Sequence, residues 1–197
     1  MRQFIVNGRD APTDGDFSLD ALPSAGRLDL LSRCVTASLL LSHGIRDDVR
    51  FWLVLADEYT VRFEGRELRQ LHPDERSTAA HIRKALHQRE EAIGHVEVEL
   101  SPGMYLSRLG FEQTLTKASA DGTVIELHGD GTPITHRDPP TDPIVVLSDH
   151  QNLPPKLAAT LAEVREERLS LGPELLHADQ AITVTHNWLD TKGFTTY

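Results

Sequence analysis

Cysteine is almost missing from this chain, with Cys34 alone among 197 residues. No internal disulfide can form, and no multi-cysteine zinc or iron–sulfur site can be assembled. No apolar run approaches the roughly 20 residues that a bilayer-spanning helix requires, so no membrane partner is expected. The N-terminal stretch MRQFIVNGRD passes from a few apolar residues straight into a polar turn. It lacks the long apolar core and small-residue cleavage site of a secretory signal, which predicts a soluble, cytoplasmic protein. Positive charge is also in deficit: Lys+Arg number 20 against 30 Asp+Glu, a net charge of −10. Taken as a total, that opposes binding a polyanion such as nucleic acid. The deficit is uneven, however. Between Arg27 and Arg89 there are 11 basic and 9 acidic residues, leaving 9 against 21 elsewhere, and arginine outnumbers lysine 16 to 4. Arginine carries the planar fork that suits phosphate, so the mid-chain segment keeps a nucleic-acid partner in play.

The length suits one substantial domain with a sizeable core and is short for two unrelated enzyme domains. Arg2–Val6 reads as a first strand and Asp10–Asp20 as a turn-rich connection. From Arg27 to Leu41 the apolar residues Leu28, Leu31, Val35 and Leu39 fall three or four apart, which predicts a helix. Phe51–Leu55 has the continuous apolar character of a buried strand, and Thr60–Phe63 with Glu67–Leu71 suits a hairpin around Glu64-Gly65. Pro73 is expected to open a helix reaching about Ile93, followed by a link over Gly94–Pro102 and a short helix over Phe111–Ala120. Thereafter come a strand (Thr123–His128), a turn at Gly129-Asp130-Gly131, a proline-rich connector (Arg137–Pro143), a strand (Ile144–Leu147), a helix (about Pro154–Glu167), a strand (Arg168–Leu171) and a last helix (about Leu176–Asp190). Strands alternating with helices mean an α/β fold with a largely parallel sheet flanked by helices.

In such sheets ligands bind beyond the carboxyl ends of the strands. That directs attention to Leu127-His128, to Leu147-Ser148-Asp149-His150 and to Ser170-Leu171-Gly172-Pro173. No GxGxxG or Walker A glycine pattern occurs, so the usual dinucleotide and phosphate cradles are excluded. Ser148, Asp149 and His150 are the residue types of a hydrolase, but adjacent side chains diverge and cannot form a Ser-His-Asp relay. The ten histidines include no i, i+4 pair, and no metal site is expected.

Taken together, several short words narrow the choice. Val146-Leu147-Ser148-Asp149-His150, Ser170-Leu171-Gly172-Pro173, Leu175-Leu176-His177-Ala178-Asp179 and His186-Asn187-Trp188-Leu189-Asp190 occur in order in the C-terminal part. Gly26-Arg27-Leu28-Asp29, Ser42-His43-Gly44-Ile45-Arg46, Pro73-Asp74-Glu75-Arg76-Ser77, Pro102-Gly103-Met104-Tyr105 and Arg108-Leu109-Gly110-Phe111 precede them. The chain thereby resembles, along essentially its whole length, the archaeal tRNA pseudouridine-54 N1-methyltransferases of the SPOUT superfamily. The resemblance implies a single SPOUT methyltransferase domain over residues 1–197. A deep C-terminal trefoil knot is implied, an exception to the rule that chains do not thread, with S-adenosylmethionine held within about residues 123–197. Carried over by position, cofactor contacts fall on Leu127, Ser148, Leu171, Gly172, Pro173, Glu174, Leu175, Leu176 and Ala181. Small and apolar residues suit an adenine slot closed by backbone groups.

The implied reaction is methylation of N1 of pseudouridine 54 in the tRNA T-loop. It requires loss of the N1 proton and in-line placement of the methyl donor. On the resemblance Asp29 is the candidate catalytic base, and Arg27, Arg46, Arg76 and Arg108 are the candidates for tRNA contact. A homodimer is also implied, and Ile182, Val184, Trp188 and Leu189 look like more apolar surface than one face of the last helix needs. The chain departs from some relatives in having Gln180-Ala181 where they carry His-Cys, so neither of those residue types there is essential to it. Two alternatives remain at this point: a SPOUT methyltransferase acting on pseudouridine in ribosomal RNA, and a non-catalytic RNA-binding dimer.

Overall fold

A computed structural model describes all residues from Met1 to Tyr197. Its ten strands are β1 (Arg2–Gly8), β2 (Leu40–Leu41), β3 (Gly44–Ile45), β4 (Val49–Leu55), β5 (Tyr59–Glu64), β6 (Val98–Ser101), β7 (Met104–Ser107), β8 (Thr123–Pro133), β9 (Pro143–Ser148) and β10 (Glu167–Ser170). The five helices are α1 (Leu28–Leu39), α2 (Glu75–His87), α3 (Phe111–Ser119), α4 (Pro155–Val164) and α5 (Ala178–Asp190). Eight strands form one sheet in the order β10-β8-β9-β1-β4-β5-β7-β6. The five from β10 to β4 are mutually parallel, and β5, β7 and β6 complete the sheet in antiparallel fashion.

The period-two pattern of the strands decides which helices cover which face. Phe4 and Val6 point into the larger core with α1, α2 and α5, whereas Ile5 points into a second core with α3 and α4. A third cluster, Ile125, Ile134, Leu169 and Trp188, joins β8 and β10 to the end of α5. Because both faces of β1, β4 and β9 are covered, these strands read as unbroken apolar runs.

Several expectations need correction. Glu67–Leu71 is not a strand: β5 pairs with β4 through a tight connection in which Ala56 and Asp57 have φ of 48° and 57°, and its other edge meets β7. The presumed link Gly94–Pro102 contains β6, which turns through Gly103 (φ 78°) into β7. α2 starts after Asp74, whose carboxylate accepts the Ser77 N–H at 2.7 Å, and it ends at His87, with a single 3₁₀ turn beyond. No turn reverses the chain at Gly129-Asp130-Gly131. On β10, Arg168 lies opposite Glu126 but the next residue, Leu169, lies opposite Thr132, so Leu127–Gly131 bulges out of the ladder.

The last helix likewise differs from expectation. Ile182 and Trp188 are buried within the chain's own cores, with Val184 and Leu189 only partly exposed. Its apolar residues therefore face inward, and the surplus surface inferred for a dimer does not exist on these side chains. No helix is long and apolar enough to cross a membrane.

Candidate functional site

The carboxyl ends of the parallel strands share one edge of the sheet, and three segments leave it close together. Leu127 and His128 of the β8 bulge line a small pocket of about 60 Å³ with Ser148, Asn152 and Leu153 after β9. The segment after β10 meets the same bulge, because a Cβ added at Gly129 would lie 3.0 Å from the Leu175 side chain. The structure thus brings Leu127 and Ser148 into one pocket and lays Leu175 of the following segment against the same bulge. Ala181 follows one turn into α5, where it is buried in the larger core.

This segment after β10 is unusual in its backbone. No N–H or C=O from Leu171 to Leu176 has a backbone or side-chain hydrogen-bond partner within the chain. Yet Leu175 is 87 % exposed, an apolar side chain with little to cover it, and Gly172 has open space where a side chain would be. Free backbone donors and acceptors beside an uncovered leucine and an open glycine match a thin heteroaromatic ring carrying polar edge atoms. They fit the adenosyl group of S-adenosylmethionine.

Asp29 lies in the first turn of α1, whose entry is tightly wound. Gly26 (φ 57°) packs so closely on the Asp10 carbonyl that any side chain would collide, and Arg27 follows, also left-handed at φ 59°. That backbone turns the Arg27 fork onto Asp29, with Nε and Nη2 each 3.0 Å from a carboxylate oxygen. Arg33, one turn on, reaches Asp29 at 3.4 Å, Glu75 at 2.8 Å and Asp179 at 3.2 Å. Burial alone would push the Asp29 carboxyl up. The hydrogen bonds from Arg27 and from the Leu30 N–H, with the charges of Arg27 and Arg33, outweigh it and hold Asp29 below the usual carboxylate range. Since Asp179 opens α5 just past the unpaired segment, Arg33 ties Asp29 to the proposed cofactor loops.

Of the four arginines expected to meet RNA, three lie at or near the carboxyl edge. Arg27 is committed to Asp29. Arg76 pairs with Asp20 of the β1–α1 connection, and Arg108, just past β7, lies 3.6 Å from Glu58; both are mostly exposed. Such surface pairs are worth little and yield readily to a phosphate. Arg46 is the exception. It precedes β4 at the opposite edge, and its fork grips Asp190 at the end of α5 at 2.7 and 3.2 Å, beside Arg2 and the buried His186. Within this chain Arg46 fastens the last helix, and it does not join the other three.

Residue-type reasoning passed over Asp149. Its side chain is fully buried and accepts the Arg9 N–H at 3.0 Å and the Gln151 N–H at 2.8 Å, clamping the β1–α1 connection to the loop after β9. The sequence signal was its place directly after an apolar strand, noticed but read only for a hydrolase. Of the five buried side-chain oxygens without a partner, Asn7 Oδ1 lies next to Ser148 in the sheet and Asp179 Oδ1 at the start of α5. Cys34 is buried, and burial pushes its thiol well above the ordinary value, so it is no nucleophile at neutral pH. No group of three or more His, Cys, Asp and Glu side chains is placed to hold a metal ion.

Comparison with known proteins bears on this edge. Residues 1–194 match the family described as "Putative SAM-dependent RNA methyltransferase". The chain is 61 % identical over 198 residues to the tRNA (pseudouridine(54)-N(1))-methyltransferase of Haloferax volcanii, covering all of both chains. It is 37 % identical to the protein of that name from Methanocaldococcus jannaschii, covering 98 % of each. Among solved structures it resembles Archaeoglobus fulgidus Nep1 bound to S-adenosylhomocysteine, with a TM-score of 0.61, 13 % identity and coverage of 94 % and 95 %. At that identity the likeness speaks for the fold.

Proposed function

Since the chain belongs to the family of tRNA (pseudouridine(54)-N(1))-methyltransferases, we infer how its own residues carry out that reaction. It methylates N1 of pseudouridine 54 in tRNA with S-adenosylmethionine as donor. The bound cofactor supplies a methyl group on a sulfonium, an electrophile reactive enough that positioning provides much of the rate. The observation that carries the assignment of its site is the run of unpaired backbone groups from Leu171 to Leu176, whose Leu175 lies against the β8 bulge that shares a pocket with Ser148. Leu171, Gly172, Pro173, Glu174, Leu175 and Leu176 would form one wall, Leu127 and Ser148 the other, and Ala181 the floor. A desolvated charge in that slot would cost several kcal/mol; Leu127, Ser148, Gly172 and Ala181 bring none, and Glu174 is exposed, where its carboxylate stays solvated.

We read residues 1–197 as one methyltransferase domain of the SPOUT type, its tail threaded through the segment between β8 and β9. In support, Trp188 Nε1 donates to the Arg137 carbonyl at 3.2 Å, and Gly193 sits against Pro139. The loop is thereby held across the end of α5. A homodimer belongs to the same reading, with the open groove of about 420 Å³ between α1, α5 and the start of α2 as the surface a second copy would close.

Asp29 is a carboxylate at every working pH, too weakly basic to deprotonate N1 before bond formation. As the N–C bond forms, N1 turns cationic and its proton strongly acidic, and only then could so weak a base accept it. The surer contribution of Asp29 is to aim Arg27 at the polar edge of the pyrimidine. Arg76 and Arg108 would meet tRNA phosphates, which position RNA without reading its bases. The test is incubation with methyl-labelled cofactor and two tRNAs, one bearing pseudouridine and the other uridine at position 54. Label confined to the first is expected; equal labelling, or none, would overturn the reading.

A further inference from the structure

His150 has no part in the chemistry described so far, yet it stands at the junction of the two regions that carry it. It lies two residues beyond Ser148, on the loop leaving β9. Its neighbour Gln151 reaches across to the Asp10 carboxylate, on whose backbone Gly26 is packed immediately before Arg27 and Asp29. The loop that carries the imidazole thus joins the end of β9, at Ser148, to the connection that leads into Arg27 and Asp29.

Its two nitrogens face different partners. Contrary to the expectation that these adjacent side chains diverge, Nδ1 lies 3.5 Å from Asp149 Oδ1, and Nε2 is 3.3 Å from the Gln151 side-chain nitrogen. An amide NH₂ can only donate, so this arrangement selects the tautomer with the proton on Nδ1, toward the carboxylate, and a lone pair on Nε2. Asp149 is fully buried and fixed by two backbone N–H groups, so it cannot turn away. A buried carboxylate behind an imidazole orients the ring and stabilises the cation formed when the ring takes a proton. Asp29 offers nothing comparable, because its oxygens already accept from Arg27 and Arg33.

We propose that Nε2 of His150 accepts the N1 proton of pseudouridine, with Asp149 as the positioning residue behind it. The inference rests on the assignment of the cofactor to Ser148 and Leu171–Leu176. In the step, the electron pair of the N1–H bond stays on nitrogen, which returns to neutrality after its new bond to carbon has formed. The proton moves to Nε2, displacing the weak Gln151 contact, and the imidazolium later releases it to water. The charged groups facing the ring are Asp149 on its own loop and Asp10 from the β1–α1 connection, with Arg27 near enough to Asp149 to feel its charge.

The experiment pairs single-turnover methyl transfer, followed from pH 5 to 9, with calorimetric binding of S-adenosylhomocysteine and an NMR reading of the His150 ring tautomer. For His150→Gln and His150→Ala the rate is expected to fall about 10²–10³-fold and to lose the acidic limb of its pH profile. Affinity for S-adenosylhomocysteine should stay within about twofold, and added imidazole should partly restore His150→Ala. In Asp149→Asn the ring should lose its preference for the Nδ1–H tautomer, since the acceptor facing Nδ1 is gone. A variant rate within about threefold of the parent with its acidic limb intact, or a His150 tautomer indifferent to Asp149→Asn, would overturn the proposal. Failure of the unaltered protein to bind S-adenosylhomocysteine would instead overturn the underlying cofactor assignment, and the NMR arm would still decide whether Asp149 governs His150.

Discussion

The two edges of the sheet use similar residues to opposite ends. At the amino edge Arg2 and Arg46 converge on Asp190, Arg2 also holds Asp48 and the Nδ1 side of His186, and His186 Nε2 meets the Ser38 carbonyl at 2.9 Å. Polar groups there are paired, and the result is a fastening for α5. At the carboxyl edge Arg27 occupies a strained left-handed backbone, Asn7 and Asp179 each keep a buried oxygen without a donor, and six consecutive residues leave their backbone unpaired. The two buried oxygens cost stability, and such groups persist where something else is to make the bond, while the backbone of the largely exposed run is free to bond a ligand in place of water. Around Asp190 and His186 the side chains are bonded to one another, whereas the loops of the carboxyl edge keep groups free, and that separates the fastening from the site.

The largest test of the scaffold side is Trp188→Ala. The indole is fully buried beneath the β8–β9 segment and is bonded to Arg137. Its loss should cost about 3–5 kcal/mol in a urea or thermal unfolding series, whereas an effect under about 1 kcal/mol would mean that this fastening is loose.

Acid probes the same edge next. Burial, then the charges of Arg46 and Arg2, push the His186 imidazole down to about 4. In an unfolded chain a histidine takes its proton near pH 6.5. The neutral ring therefore contributes fully above about pH 6.5. That contribution drains away as the pH falls toward 4, on the order of 3 kcal/mol in all. His186→Gln should remove most of this slope, as unfolding at several pH values would reveal.

On the site side, Asp29→Asn should lower kcat by about 10²-fold, by freeing the Arg27 fork from its aim. Because Arg27 and Arg33 hold the Asp29 carboxyl below its usual range, no part of the activity profile above about pH 4 should titrate with it. A profile with a limb that vanishes in Asp29→Asn would show that Asp29 itself takes the proton.

Much of this contrast was legible in the chain. Leu28, Leu31, Val35 and Leu39 announced α1, and the unbroken apolar run at Phe51–Leu55 announced a strand covered on both faces. The strand-end rule points to the same three segments that leave the carboxyl edge of the sheet. What escaped was whatever depends on pairing between distant residues. β6 and β7 are four residues each and are defined by partners in β5 and each other, so local pattern reads β6 as part of a link and assigns nothing to β7. Arg46 and Arg76 are alike as letters; Asp190 and Asp20, far away in sequence, decide that one is locked and the other accessible. The Asp149 clamp depends on backbone N–H groups, which no side-chain motif records.

Smaller effects sharpen the division. Leu175→Asp should weaken S-adenosylhomocysteine binding about tenfold, roughly 1.4 kcal/mol, while leaving the melting temperature nearly unchanged, since the side chain is packed on almost nothing. Unaltered affinity would move the adenosyl group off this wall. The smallest effects, and the most discriminating, concern the arginines. Arg76→Ala and Arg108→Ala should each weaken tRNA binding modestly and reduce the slope of log affinity against log salt by about one. Arg46→Ala should instead lower stability, because Asp190 loses its fork, and leave the salt slope alone. If Arg46→Ala behaved like the other two, its pair with Asp190 would have to open in the complex. The amino edge would then belong to the RNA-binding surface, possible only where a second copy of the chain brings that edge beside the site.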